Sequence, residues 1–184
     1  MSEQPTHEET AGTEQNAAAA DDGTSLPLLH RTVRPEWIDY NGHMSEAFYV
    51  LVFGYATDAM MIETGLHAGY RESTGCSLYT AEAHVRYLRE VAAGSHLAVR
   101  TRLLGVDAKK ARFCHELYVV GAPDDAPEPE AVPVATTELL ALHVDQRAGR
   151  TAPFPDSVRE RLASLVEPAP AWAGGSIAEV PAVR

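Results

Sequence analysis

The apolar residues follow two different periods along the chain, and the order of these periods predicts the fold. Between Ser45, a suitable N-cap, and Gly65, a suitable stop, they recur every three or four positions, which predicts an amphipathic helix. Beyond Gly75 the period falls to two and predicts a long strand, with Tyr79 on its apolar face and Glu82 on its polar face. Three further runs with a period near two predict three more strands, at residues 97–103, 113–119 and 134–144.

Two shorter segments complete the predicted order of elements. Residues 28–33 predict a first strand, which Arg34-Pro35 ends, and residues 155–165 predict a short surface helix. Short turns join the last four strands, except for the longer acidic connection 121–133, so we expect an antiparallel meander. One strand, one long helix and four strands is an α+β order. It predicts a curved antiparallel sheet wrapped around a single central helix.

The length and the ends of the chain indicate one domain. We expect it at residues 27–166, because 184 residues are about one domain in length. Residues 1–26 predict a disordered acidic tail, and the Pro, Ala and Gly content of 167–184 predicts a loosely ordered end. The N-terminus lacks the basic and apolar regions of a signal peptide, and no apolar run approaches the roughly 20 residues of a membrane helix. These features favour a cytoplasmic protein that does not span a membrane.

The charge of the chain restricts its partners. The formal net charge is −11 without a block of Lys and Arg, which argues against nucleic acid or an anionic membrane. An anionic ligand therefore needs local basic residues, and those available are Arg89, Lys109, Lys110 and Arg112. For Lys109 and Lys110, a solvated turn is an equally good explanation.

Motifs for metal binding and for a serine or cysteine nucleophile are absent from the sequence. The eight histidines are scattered, and Cys76 and Cys114 have neither metal-type nor disulfide-type spacing. No His-Glu-x-x-His or Gly-x-Ser-x-Gly motif occurs. We therefore expect no metal and no cofactor, and any hydrolysis would depend on a carboxylate.

The segment before the predicted long helix offers such a carboxylate. Asp39, Asn41 and His43 lie within five residues, next to a helix N-terminus. The free N–H groups of such an end can hold an oxyanion, and a nearby carboxylate can attack a carbonyl or activate water. Asp and Asn beside Gly42 are also ordinary turn formers. The pattern by itself leaves the catalytic and the structural explanations open.

The same segment carries a family resemblance. The stretch Asp39-Tyr40-Asn41-Gly42-His43-Met44-Ser45 resembles the Asp-x-Asn-x-His-(Val/Met)-Asn signature of hotdog acyl-CoA and acyl-ACP thioesterases. The runs 79–91 and 135–145 fall where that family has its central strands. Ser45 departs from the signature, because many relatives have Asn there. The resemblance implies a hotdog fold and hydrolysis of an acyl-CoA thioester.

The resemblance also implies roles for individual residues. Asp39 corresponds to the acid that acts as nucleophile or general base, and the two mechanisms stay open. The backbone amides of Gly42 and His43 would face the thioester oxygen. Asn41 and the His43 side chain would position substrate or water. Hotdog sheets commonly continue into a second copy, which implies a homodimer or a dimer of dimers.

A more specific resemblance concerns the substrate. Segments 35–44, 56–59, 76–82 and 142–145 are similar to the thioesterases found fused to or beside L-carnitine dehydrogenases. That family is assigned betainyl-CoA, whose hydrolysis to betaine and CoA belongs to carnitine degradation. A trimethylammonium group donates no hydrogen bond, so aromatic faces and negative charge must hold it. The sequence candidates for this cage are Trp37, Tyr40, Tyr79 and Glu82.

Several alternatives stay open. Tyr79 could belong to the core and Trp37 could only fix the loop, while the polar row of Glu82, His84 and Arg86 also suits a dimer interface. The substrate could be another short or aromatic acyl-CoA. A hydratase would place its acid on the helix rather than before it, which favours hydrolysis here. A non-catalytic acyl-CoA-binding protein is the alternative from another class.

Overall fold

The computed structural model describes residues 25–177, and these residues form ten elements. They are β1 (Leu29–Thr32), a 3₁₀ helix (Pro35–Trp37), α1 (Glu46–Glu63), α2 (Ala68–Thr74), β2 (Cys76–Tyr87), β3 (His96–Val106), β4 (Lys110–Val120), β5 (Ala135–Asp145), β6 (Arg150–Thr151) and α3 (Asp156–Ser164). The strands form one antiparallel sheet in the order β1-β3-β4-β5-β2, with β6 paired to β5.

Helix α1 packs against the inner face of this sheet, which confirms the predicted α+β architecture. Its buried side carries Tyr49, Val52, Phe53, Ala56 and Met60. Each large apolar side chain that leaves water contributes about 1.5–3 kcal/mol to folding, so this side holds the helix on the sheet. The predicted helix ends are confirmed as well. Ser45 is the N-cap, and the helix stops just before Gly65, whose φ of +87° favours glycine.

The predicted meander is correct only for β3, β4 and β5. β2 pairs with β5 instead of β3, and β1 pairs with β3. The link between β2 and β3 crosses the end of the sheet, so these two strands do not form a hairpin. On the way, Val91 O accepts the Met44 N–H (2.8 Å) and Ser95 O accepts the Val33 N–H (2.9 Å). β2 therefore becomes an edge strand.

The predicted position of Tyr79 on the apolar face of β2 is wrong. Leu78 is buried, whereas Tyr79 is 46% exposed and points to the outer face together with Glu82. One residue, Ala81, is inserted in the pairing with β5 and forms a β-bulge. The bulge lets Leu78 and Val85 both face the core although they are seven positions apart, an odd spacing that would otherwise put them on opposite faces.

The C-terminal segment, residues 167–177, crosses the outer face of the sheet. Glu167 forms ion pairs with Arg100 (2.9 Å) and Arg102 (3.1 Å), and Trp172 Nε1 donates to the Glu116 carboxylate (3.1 Å). The predicted division into two tails and a domain stays a prediction, because residues 1–24 and 178–184 lie outside the described residues. Between residues 25 and 177, no helix is both long enough and apolar enough to cross a bilayer.

Candidate active site

The loop between the 3₁₀ helix and α1 is a compact turn closed by backbone hydrogen bonds. Ile38 and Met44 form an isolated antiparallel bridge. The Asp39 N–H donates to His43 O (3.0 Å), and the Gly42 N–H donates to Asp39 O (3.0 Å). Gly42 has φ +84°, a left-handed conformation that would strain any residue with a β-carbon. The turn that the sequence predicted at this position is therefore present.

The Asp39 carboxylate is held by one oxygen only. Its Oδ1 accepts the Asn41 N–H at 2.8 Å. Its Oδ2 has no hydrogen-bond partner within the part of the chain that the structure describes. The side chain is half-buried, and the hydrogen bond to Asn41 fixes its direction.

The two backbone amides expected to face the thioester oxygen differ in availability. The Gly42 N–H already donates to Asp39 O. The His43 N–H donates to no other residue in the range 25–177. It lies two residues before Ser45, where the positive end of the α1 dipole adds to its potential. His43 N–H is therefore the better candidate for binding an oxyanion.

A cleft of about 340 Å³ opens beside this loop, between the start of α1 and the segment that follows β2. His43 lines it, with Nε2 3.2 Å from the Glu90 carboxylate. Tyr49 of α1 and Tyr87 of β2 also line it. Glu90, Tyr49 and Tyr87 are not among the site residues predicted from the sequence. Their convergence depends on β2 lying at the sheet edge next to α1, which no local pattern encodes.

Comparison with known proteins decides the family of this chain. Residues 33–162 match the model of the thioesterase-like superfamily. The chain belongs to this superfamily. The predicted family is thereby confirmed, and the curved sheet around α1 is its hotdog fold.

Two curated relatives in the superfamily are similar over most of this chain. The betainyl-CoA thioesterase of Pseudomonas aeruginosa is 42% identical over 142 residues, which cover 77% of this chain and 84% of that protein. The L-carnitine dehydrogenase/betainyl-CoA thioesterase of Agrobacterium fabrum is 43% identical over 159 residues. That match covers 84% of this chain but 31% of the relative, so the chain spans about a third of the two-activity protein.

Two solved structures have the same fold. A protein of Staphylococcus aureus in complex with CoA superposes with a TM-score of 0.72 at 25% identity, covering 84% of this chain and 94% of that chain. A candidate thioesterase of Pseudomonas putida superposes with a TM-score of 0.66 at 38% identity, covering 84% of this chain and 96% of that chain.

The structure does not bring the four predicted cage residues together in one place. Trp37 is buried, with its ring stacked on Phe48 at 5.4 Å. Tyr40 is 97% exposed at the tip of the turn. Tyr79 and Glu82 lie on the outer face of β2, where the Tyr79 hydroxyl accepts a hydrogen bond from Gln146 (2.7 Å). Their role in substrate binding stays a prediction.

The four basic residues predicted to bind CoA are dispersed as well. Arg89 donates to the carbonyl of Val132, and Arg112 pairs with Glu138 on the outer face. Lys109 lies in the turn between β3 and β4 and Lys110 is the first residue of β4, at the end of the sheet remote from Asp39. Their role with CoA stays a prediction. Across residues 25–177, no group of three or more His, Cys, Asp or Glu side chains is placed to share a metal ion.

Proposed function

We propose that this chain hydrolyses betainyl-CoA to betaine and CoA in carnitine degradation. The observation that carries the proposal is the 42% identity to a betainyl-CoA thioesterase over 84% of that relative's length. The site also supports it, because Asp39 and His43 belong to one turn, and neither Asp39 Oδ2 nor the His43 N–H has a hydrogen-bond partner among residues 25–177. Thioester hydrolysis needs little more, since a thiolate is a good leaving group.

The mechanism follows from the roles of these two groups. The thioester oxygen accepts the His43 N–H, and the start of α1 stabilises the negative charge that develops on it. Asp39 Oδ2 either attacks the carbonyl carbon or takes a proton from a water that attacks it. The carbon–sulfur bond then breaks and CoA leaves as the thiolate. In the first route, water hydrolyses the acyl-aspartyl anhydride and regenerates Asp39.

The Asp39→Asn variant tests this proposal. The Asn side-chain oxygen can still accept the Asn41 N–H, so the turn is retained while the reactive carboxylate is lost. We expect kcat for betainyl-CoA to fall by about 10³-fold or more, measured as thiol release. Activity equal to that of the original chain would exclude the carboxylate mechanism. In a single turnover in H₂¹⁸O, label in Asp39 identifies the nucleophilic route with water attack on the aspartyl carbonyl, whereas label in betaine alone fits the general-base route or water attack on the acyl carbonyl of the anhydride.

The substrate panel should contain short, branched and aromatic acyl-CoA thioesters beside betainyl-CoA. A preference for betainyl-CoA in kcat/KM supports the proposal. A preference for another ester would support thioesterase activity but assign a different substrate. Binding of CoA esters without any thiol release would favour a non-catalytic acyl-CoA-binding protein.

We also propose a homodimer, or a dimer of dimers, in which the sheet continues from one copy to the next. β2 pairs only with β5 among the described strands and is 12 residues long, so its outer edge offers many unpaired backbone groups. Such an edge is rarely left open to solvent. Light scattering should give twice or four times the chain mass, and a monomer would contradict this model. A cytoplasmic location stays a prediction of the sequence.

A further inference from the structure

The cleft beside the catalytic loop has a corner formed by two aromatic rings. Tyr49 and Tyr87 lie with centroids 5.3 Å apart and ring planes at 79°. Tyr49 is fixed, since its hydroxyl donates to Arg89 O (3.3 Å) and its ring is buried in the core. Tyr87, at the end of β2, is 47% exposed and presents its ring to the cleft. In an edge-to-face pair of this kind the buried Tyr49 holds the Tyr87 ring in place, and the exposed part of Tyr87 is left to contact a rounded group.

Two carboxylates line the same corner. Glu46 comes from the first turn of α1, and Glu90 follows β2. Burial raises the pKa of both tyrosine hydroxyls. The charge of Glu90 raises the pKa of Tyr49 further, and the charge of Glu46 raises the pKa of Tyr87 further. Near neutral pH the two phenols are therefore uncharged. His43 is the group that joins this corner to the catalytic loop, at 3.2 Å from Glu90.

Among residues 25–177, Arg89 is the one Lys or Arg that lines the cleft, and its side chain does not cancel the charge at the corner. Arg89 directs its guanidinium to the carbonyl of Val132, in the connection between β4 and β5. The cleft thus combines an exposed aromatic ring with two carboxylates. A cation without N–H groups suits these walls, because it is attracted by ring faces and carboxylates and needs no acceptor. The volume of about 340 Å³ is at the lower end for ligand pockets, which favours a small group.

We infer that Tyr87, Glu46 and Glu90 bind the quaternary ammonium of the acyl group, with Tyr49 supporting the Tyr87 ring, in the cleft that His43 of the catalytic loop also lines. The inference rests on the proposed function, because it assigns the binding site for the acyl part of that substrate. It also replaces the cage proposed from the sequence by residues that share one cleft.

The test compares two thioesters that differ only in charge. Betainyl-CoA and 3,3-dimethylbutanoyl-CoA have the same shape, since a trimethylammonium group and a tert-butyl group are isosteric. We expect the wild type to prefer betainyl-CoA in kcat/KM by about tenfold or more. In Tyr87→Leu, Glu46→Gln and Glu90→Gln this ratio should fall about three- to tenfold. Tyr87→Phe should keep it, because the ring face is retained.

A matched control and a second measurement keep the inference separate from the proposed function. Glu160→Gln, which removes an exposed carboxylate on α3, should leave the ratio unchanged. An unchanged ratio in Tyr87→Leu and both Gln variants would overturn the cage while thioesterase activity stands. If the wild type hydrolyses neither thioester, the proposed function is wrong. Binding of the quaternary ammonium at this cleft is then tested by saturation-transfer NMR with tetramethylammonium. Binding that is lost in Tyr87→Leu supports it, and no binding to the wild type overturns it.

Discussion

His115 lies inside the core, between α1 and the sheet, and uses both ring nitrogens. Nδ1 lies 2.9 Å from Thr101 Oγ1, and Nε2 lies 2.9 Å from Thr57 Oγ1. The Thr57 hydroxyl donates its proton to Phe53 O (3.2 Å), so it must accept from Nε2–H. Nδ1 is then left to accept from the Thr101 hydroxyl. With a neutral ring, every group in this chain of hydrogen bonds has a partner. In a protonated ring Nδ1 would also carry a proton, and the Thr101 hydroxyl could no longer donate to it.

This environment predicts how stability depends on pH. Burial lowers the pKa of His115 to about 3, whereas the unfolded chain has the ordinary value near 6.5. Below pH 6.5 only the unfolded state takes up the proton, so the free energy of unfolding falls as the pH falls towards 3. The loss between pH 7 and pH 5 is about 2 kcal/mol. Urea unfolding of His115→Gln should lack this part of the pH dependence. His67→Asn removes an exposed histidine but keeps an N-cap side chain, and should behave like the wild type.

At the residue scale, the sequence could predict what depends on neighbours along the chain. The turn at Gly42 and the position of Asp39 before α1 follow from a few consecutive residues, and the structure has both. The contact between His43 and Glu90 could not be predicted, since 47 positions separate them and the order of the strands brings them together.

At the scale of elements, replacing each of two glycines of α1 and its C-terminal end by alanine should change the free energy of unfolding in opposite directions. Gly54 lies in the middle of the helix, and a β-carbon there would meet no atom within 4 Å. Gly54→Ala should therefore raise the free energy of unfolding by about 0.5–1 kcal/mol, because alanine is the better helix former. Gly65→Ala should lower it by about 1 kcal/mol or more, since φ is +87° there. Urea unfolding at one protein concentration measures both. A less stable Gly54→Ala would indicate that another chain approaches α1 closely at this point.

β2 marks the limit of prediction at this scale. Alternation predicted that a strand exists between Gly75 and Leu88, but a bulge of one small residue is invisible in the pattern because Ala81 fits either face. The pairing with β5 was equally hidden. Consecutive strands usually pair, but β2 and β3 do not. The link between them crosses the end of the sheet, where Val91 O accepts the Met44 N–H.

The whole molecule covers the outer face of its own sheet with the C-terminal segment. Beneath that segment lie Glu116, which accepts from Trp172, and Cys114, which has no exposed surface. Burial, followed by the charge of Glu116, raises the pKa of the Cys114 thiol to about 12. The composition of 167–184 predicted a loosely ordered end, because Pro, Ala and Gly carry little pattern. The contacts of Glu167, Trp172 and Gly174 with the sheet depend on strands far away in sequence.

Removal of this segment should expose Cys114. A chain that ends at Val166 loses the Trp172 and Glu167 contacts, so we expect N-ethylmaleimide to label Cys114 under native conditions, as read by peptide mass. A chain that ends at Ile177 keeps those contacts and is the matched control, in which Cys114 should stay unlabelled as in the full chain. Thiol reactivity requires both access and the thiolate, and the segment limits both. Protection of Cys114 in the shorter chain would contradict this model. The burial would then come from the sheet itself or from a second copy of the chain packed on its outer face.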